Sequence, residues 1–166
     1  MQTVYRALPL MNEAERHLEA AQGWLSLGAF DEAAAELDAI DEAHRLDFPV
    51  LVVRAKVFRA LQSWEQLLTV GRLLSDTRPD HPAGVLAAAG ATRYLRGPVR
   101  ALGLYMEAVE AFPREAAAFY DLACCEVAAG NVELARMALA EAFKLMPELR
   151  AVARVDVDLA GLRGEP

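Results

Sequence analysis

The chain has 166 residues, of which 55% are hydrophobic, and its formal net charge is −7. No apolar run approaches the roughly 20 residues that a membrane-spanning helix needs, and the acidic balance argues against nucleic-acid binding, which requires a basic face. The first residues contain one arginine and a short apolar patch interrupted by Pro9. Because this is a poor signal peptide, we expect a cytoplasmic protein with no membrane partner.

Helix start and stop signals predict eight helices in four consecutive pairs, between two tails. Asn12 is the expected N-cap of the first helix, and Gly28 is its expected stop. The predicted helices, in chain order, cover 12–27, 30–46, 48–61, 63–77, 81–95, 98–112, 116–129 and 131–146. We predict a ninth, capping helix at 148–155, because the last unit of a stacked array otherwise exposes its packing face.

A period of 34 residues organises these pairs. Steps of 34 back from Ala135 reach small or apolar residues, Ala101, Leu67 and Ala33. A second series follows prolines, from Pro147 to Pro113 and Pro79. Repetition at this period indicates stacked units, each too small to bury its apolar face alone.

The last unit carries six residues of a known repeat pattern: Phe119, Leu122, Ala123, Ala135, Leu139 and Pro147. On these residues the chain resembles the tetratricopeptide repeat (TPR) family, and it is similar to small, uncharacterised bacterial members. The resemblance implies an all-α, right-handed α-solenoid of four repeats within 12–149, with residues 1–11 as a tail and 150–166 as capping helix and tail. The implied repeats are at about 14–47, 48–81, 82–115 and 116–149.

Arg54 departs from the pattern, because the repeat usually places leucine there. We predict that its aliphatic stem packs against neighbouring side chains while its charged head reaches water or an acid.

The first helices of successive TPR repeats line a concave groove that binds peptides. Carried over by register, the predicted groove residues are Leu18, Gln22, Leu25, Val52, Lys56, Arg59, Leu86, Arg93, Tyr94, Tyr120, Cys124 and Val127. Lys56, Arg59 and Arg93 form a basic strip among apolar side chains. This suits a partner segment with hydrophobic anchors and an acidic group. Alternatively, the two arginines bridge to acids on adjacent helices and only stabilise stacking.

Acidic residues concentrate in the first repeat. Nine acidic and two basic residues fall within 14–47, which gives this window a net charge of −7. We interpret it as a solvated helix face, with a docking patch for a basic partner as the alternative.

Residue types that catalyse reactions or bind metals are not grouped in a way that indicates an enzyme. His17, His44 and His81 are dispersed without metal-ligand spacing, and no glycine-rich phosphate loop is present. Neighbouring helical residues point about 100° apart, so a disulfide between Cys124 and Cys125 is disfavoured. We expect Cys125 in the core and Cys124 nearer the inner face. The sequence therefore predicts no catalysis, metal or cofactor.

The leading functional hypothesis is a protein–protein interaction scaffold, or adaptor, that binds a peptide segment of a partner in the groove. The first alternative is a self-associating homo-oligomer that uses residues 1–11, the groove or an open end of the array. In the third hypothesis, the acidic first repeat docks the chain into a larger complex.

Overall fold

The computed structural model describes residues 12–163, and these residues form nine α-helices and one 3-10 helix. The helices are α1 (Glu13–Ser26), α2 (Phe30–Ala39), α3 (Phe48–Ala60), α4 (Trp64–Thr77), α5 (Ala83–Arg96), α6 (Pro98–Ala111), α7 (Ala116–Ala128), α8 (Val132–Leu145) and α9 (Leu149–Ala153), followed by a 3-10 helix (Val157–Leu162). The predicted all-α class is therefore confirmed. The predicted tail at 1–11, with its docking, lies outside the described residues.

The start and stop signals of α1 are where the sequence places them. Asn12 Oδ1 accepts a hydrogen bond from the backbone N–H of Glu15 at 2.8 Å, and the Glu15 carboxylate accepts one from the backbone N–H of Asn12 at 2.9 Å. This capping box satisfies two N–H groups that have no partner within the helix. Gly28 follows the helix with φ +76°, a left-handed conformation that favours glycine.

The second helix is shorter than predicted, because α2 ends well before residue 46. Ile40 is extended and fully buried, and Asp41 then accepts a hydrogen bond from the backbone N–H of His44 at 3.0 Å. Arg45 Nε donates to the Ile40 carbonyl at 2.7 Å, which satisfies the backbone where the helix stops. An aspartate that bonds to nearby backbone competes with helix formation. Asp41 and Glu42 therefore lie in a turn, and their predicted place within the helix at 30–46 is wrong.

Contacts divide the chain into two compact units, which we call the first unit (up to Val57) and the second unit (from Phe58). In the first unit α1 packs on α2, and His17 Nδ1 lies 2.7 Å from Glu36 Oε2 across that contact.

Arg54 also lies in the first unit and behaves as predicted. Its stem is largely covered, while Nη1 donates to Asp38 Oδ1 and Nη2 donates to the Leu37 carbonyl, both at 2.8 Å. The arginine thus ties α3 to α2 at a position where leucine would only pack.

In the second unit the helices from α4 to α8 pack in sequence order, each on the next. Gly71 brings α4 close to α5, because a Cβ there would lie 2.7 Å from the backbone nitrogen of Ala88. The core of this unit contains Tyr105, Ala123 and Cys125, all fully buried.

The chain after α8 differs from the predicted capping helix. The α-helical part, α9, is only five residues long, and the 3-10 helix that follows packs on α7. Leu159 anchors it with 2% of its surface exposed. None of the helices within residues 12–163 has the length and hydropathy that crossing a lipid bilayer requires.

Candidate functional site

The twelve predicted groove residues are divided between the two units. Five lie in the first unit, where the apolar ones are partly buried and the polar ones exposed: Leu18, Leu25 and Val52, then Gln22 and Lys56. Seven lie in the second unit: Arg59, Leu86, Arg93, Tyr94, Tyr120, Cys124 and Val127. The candidate site formed by these seven residues and their partners belongs to the second unit alone.

The two arginines of the predicted basic strip converge on one acid, Asp121 of α7. Arg59 Nη1 lies 4.0 Å from Asp121 Oδ2, and Arg93 Nη1 lies 3.9 Å from Oδ1. Arg59 of α3 and Arg93 of α5 thus both lie about 4 Å from one carboxylate on α7. Arg93 is the more enclosed of the two, with 12% of its side chain exposed.

Arg59 reaches Asp121 by passing over α5 at Gly90, which has no side chain. Its Nη2 donates to the Leu86 carbonyl at 3.2 Å, and a Cβ at Gly90 would lie 2.9 Å from the same nitrogen. Glycine at position 90 therefore leaves the space that the guanidinium occupies.

Asp121 also contacts Tyr105, whose hydroxyl donates to Oδ2 at 3.2 Å. Burial raises the pKa of the Asp121 carboxyl, while Arg59, Arg93 and the Tyr105 hydroxyl oppose that shift. Burial also raises the pKa of Tyr105, which keeps its hydroxyl protonated as a donor at neutral pH. The result is a carboxylate held between two cations and a neutral donor.

The chain's own C-terminal segment, residues 156–162, lies against this site. The Tyr120 hydroxyl donates to Asp156 Oδ2 at 2.7 Å, and Arg93 Nη2 pairs with Asp158. Leu159 is buried in the same cluster as Tyr120 and Cys124. We give the name α5–α7 surface to Arg93 of α5, to three residues of α7 and to Arg59, which reaches over α5 from α3. The three residues of α7 are Tyr120, Cys124 and Val127.

Tyr94 lies beside this surface and packs on another aromatic residue. Its ring stacks on Trp64, with centroids 4.0 Å apart and planes 6° from parallel. The guanidinium carbon of Arg93 is 5.7 Å from the Tyr94 ring centroid, and more than half of Tyr94 is exposed. Part of the Tyr94 ring in the stacked pair is therefore exposed to solvent.

The cysteines are not placed for nucleophilic chemistry. Cys125 is fully buried as predicted, and Cys124, expected nearer the inner face, is 2% exposed. Burial raises the pKa of Cys124 to about 12 and that of Cys125 to about 11, so the reactive thiolate forms are scarce at neutral pH. Within residues 12–163, no three side chains of His, Cys, Asp or Glu are grouped as metal ligands.

Sequence reasoning missed the acids that complete the site. Asp121 falls next to the predicted groove position Tyr120, and Asp156, Asp158 and Leu159 follow the last repeat, where periodicity carries no information. Their alternation of acid and apolar residues was the one available signal, because it complements an arginine–tyrosine surface.

Solved structures with the same architecture cover nearly the whole chain. The TTC0263 protein of Thermus thermophilus, described as a thermophilic TPR protein, is 22% identical with a TM-score of 0.76, covering 90% of this chain and 80% of that one. The chain has the TPR fold.

Two further TPR-like structures agree with this fold. A MamA RS-1 double mutant is 20% identical with a TM-score of 0.66, covering 93% of this chain and 91% of its own. A MamA protein is 15% identical with a TM-score of 0.65, covering 91% and 84%. No family model and no curated protein matches the sequence. At these identities the likeness establishes the fold alone.

Proposed function

We propose that the protein is a non-catalytic interaction scaffold whose α5–α7 surface binds a short acidic segment of a protein partner. The observation that carries the proposal is the set of contacts made by the C-terminal segment. Two carboxylates meet Tyr120 and Arg93, and one leucine is buried next to them. The surface thus accommodates a peptide of the form acid–x–acid–leucine.

The chemistry of the surface explains why such a segment would be selected. Arg93 is mostly enclosed, so a carboxylate that pairs with it gains a charge-assisted hydrogen bond in a partly desolvated place. Asp121 already takes part of the charge of both arginines, so the surface favours a short acidic segment over a long acidic run. Leucine supplies the apolar anchor that gives affinity.

The C-terminal segment competes with any partner for this surface. A tethered segment has an effective concentration on the order of millimolar, so a free peptide binds the wild type only weakly. Weakening the internal contact should therefore raise the affinity for the same peptide added in solution. This behaviour would show that the surface can bind an acidic segment supplied by a separate molecule.

The test uses a fluorescent peptide with the sequence of residues 155–163 and the full chain carrying Asp156→Asn and Asp158→Asn. Anisotropy should show binding about tenfold or more tighter to this variant than to the wild type. A peptide with both aspartates replaced by asparagine should bind neither protein. A matched control, Glu133→Gln with Glu148→Gln, changes the charge equally at exposed positions and should behave like the wild type. Equal, weak binding to all three proteins would contradict the proposal.

Exchange of the C-terminal segment between two copies is the second candidate function, since the same contacts can form in trans. It predicts a mass that rises with concentration in light scattering and falls to the monomer in the Asp156→Asn, Asp158→Asn variant. A constant monomer mass in both proteins would remove this candidate and leave the first.

A further inference from the structure

A second candidate surface in the second unit has a chemistry opposite to that of the α5–α7 surface. Side chains from three helices surround an apolar cavity of about 520 Å³, which we call the α6–α8 groove. Its apolar lining includes Met106, Phe119, Leu122, Leu134 and Met137. The residues that α7 contributes, such as Leu122, lie on a different face of that helix from Tyr120, because successive helical residues are about 100° apart.

The groove is open to solvent and adaptable. Met106, Leu134 and Met137 are each more than half exposed, although they are large apolar side chains. Grouped exposure of this kind marks interaction surfaces more often than scattered apolar residues do. Two of the three are methionines, whose flexible side chains can adjust to the shape of an apolar partner.

The groove also includes three acids. Glu110, Glu126 and Glu141 all line the groove, and no basic residue does among the described residues. Glu126 is buried and accepts a hydrogen bond from Asn131 Nδ2 at 2.7 Å, while Glu141 accepts one from Lys144 at 2.6 Å. An apolar lining beside the exposed acids Glu110 and Glu141 is complementary to an amphipathic segment that carries cations beside its apolar stripe.

The groove 34 residues earlier shows that this chemistry is not a by-product of helix stacking. A cavity of about 440 Å³ forms at the equivalent place between α4, α5 and α6, and its lining includes Arg72, Arg96 and Arg100. Arg72 is replaced by Met106 one period later, and Arg100 by Leu134. Thus the cleft between α4, α5 and α6 carries arginines, whereas the equivalent cleft between α6, α7 and α8 carries apolar and acidic side chains.

We infer that the α6–α8 groove is the docking site for a cationic amphipathic helix of a protein partner. Leucine-like side chains at i, i+3, i+4 and i+7 would fill the apolar floor, and flanking lysines or arginines would face Glu110 and Glu141. This site is independent of the proposed peptide site, because it shares none of the five residues of the α5–α7 surface.

The test uses the full chain and a synthetic 14-residue peptide of leucine and lysine with helical amphipathic spacing, measured by calorimetry. The chain variant Met106→Arg with Leu134→Arg places arginine where the equivalent groove already carries it, so the fold should tolerate the change. We expect its binding to be weaker by about tenfold or more. The control variant Leu27→Arg with Val99→Arg adds the same charge at exposed positions outside the groove and should bind like the wild type.

Two control peptides separate docking from general charge attraction. One has the same composition with alternating leucine and lysine, and the other has glutamate in place of lysine; neither should bind measurably. Equal binding of the alternating peptide, or full binding by the Met106→Arg, Leu134→Arg variant, would overturn the inference. A wild-type mass above the monomer in light scattering that this variant abolishes would also overturn it, by assigning the groove to a second copy of the chain.

Discussion

Helices α1 and α7 are the first helices of the first and the last pair, and equivalent positions on them differ in exposure. Stepping by three periods, Gln22 of α1 corresponds to Cys124 of α7. Gln22 is exposed, whereas Cys124 is 2% exposed beside the C-terminal segment. The position in the repeat therefore fixes which way a side chain faces, and the neighbouring segment decides whether that face is covered. Substitutions at covered and exposed positions test this difference.

Leu159→Ala removes the anchor of the segment that covers α7. Because Leu159 is buried, the substitution should lower the free energy of unfolding by about 2–5 kcal/mol, measured in urea. The exposed Leu27→Ala should change it by about 0.5 kcal/mol or less. Loosening of the segment should also speed the reaction of Cys124 with a thiol reagent in native buffer. Equal losses of stability in the two variants would show that the segment contributes no specific packing.

Serine substitution at the two equivalent positions tests the covering of α7 directly. Cys124→Ser places a hydroxyl in a buried site and should cost about 1–3 kcal/mol of unfolding free energy. Gln22→Ser at the exposed position should cost about 0.5 kcal/mol or less, since both residues are tolerated on a helix surface. If the two costs were similar, the difference in burial between α1 and α7 would have no energetic consequence.

The repeat period was sufficient to predict the helix pairs, because it depends on apolar side chains that every unit must bury. Local chemistry was sufficient at Asn12 and Gly28, where one residue determines the backbone. Local chemistry was insufficient at the end of α2. Asp41 and Arg45 bond to backbone groups in a turn there, but the sequence pattern of this turn is the same as that of a helix. Asn12, Gly28 and Asp41 differ in that only the first two carry an unambiguous cap signal.

The candidate site could be predicted only in part. Register placed Arg59 and Arg93 at equivalent positions, but Asp121, which both contact, lies one residue from a predicted groove position and carries no repeat signal. Asp156 and Asp158 lie beyond the last repeat, so only tertiary contacts assign them to the α5–α7 surface. Periodicity predicts which residues are equivalent and leaves their partners undetermined.

Tyr120→Phe separates the polar part of the cover from its packing. The change removes the hydroxyl that donates to Asp156 and keeps the ring, so we expect a loss of about 0.5–1.5 kcal/mol of unfolding free energy. Tyr94→Phe, on an exposed ring that remains stacked on Trp64, should change stability by about 0.5 kcal/mol or less. Adding Asp156→Asn to Tyr120→Phe should cost little more, because the pair no longer interacts. A fully additive double variant would show that this hydrogen bond is absent in solution.

Asp41 in the exposed turn of the first unit and Asp121 in the second should titrate on opposite sides of the ordinary value of 3.8. The hydrogen bond from the His44 side chain lowers the pKa of Asp41, whereas burial raises the pKa of Asp121. The contribution of Asp41 to stability is therefore complete above its ordinary pKa and is lost as the pH falls through its lowered pKa. Asp121 has the opposite sign, since its ionisation lowers stability as the pH rises from the ordinary value through its raised pKa.

Carboxyl NMR titration, assigned with Asp41→Asn and Asp121→Asn, measures both pKa values. His44→Ala should return Asp41 toward 3.8 and leave Asp121 unchanged, because His44 is not among the groups that shift the pKa of Asp121. In contrast, a lowered pKa at Asp121 would mean that the attraction of Arg59 and Arg93 outweighs burial. The covered face of α7 would then be held by an ion-pair attraction that exceeds the cost of burying the carboxylate.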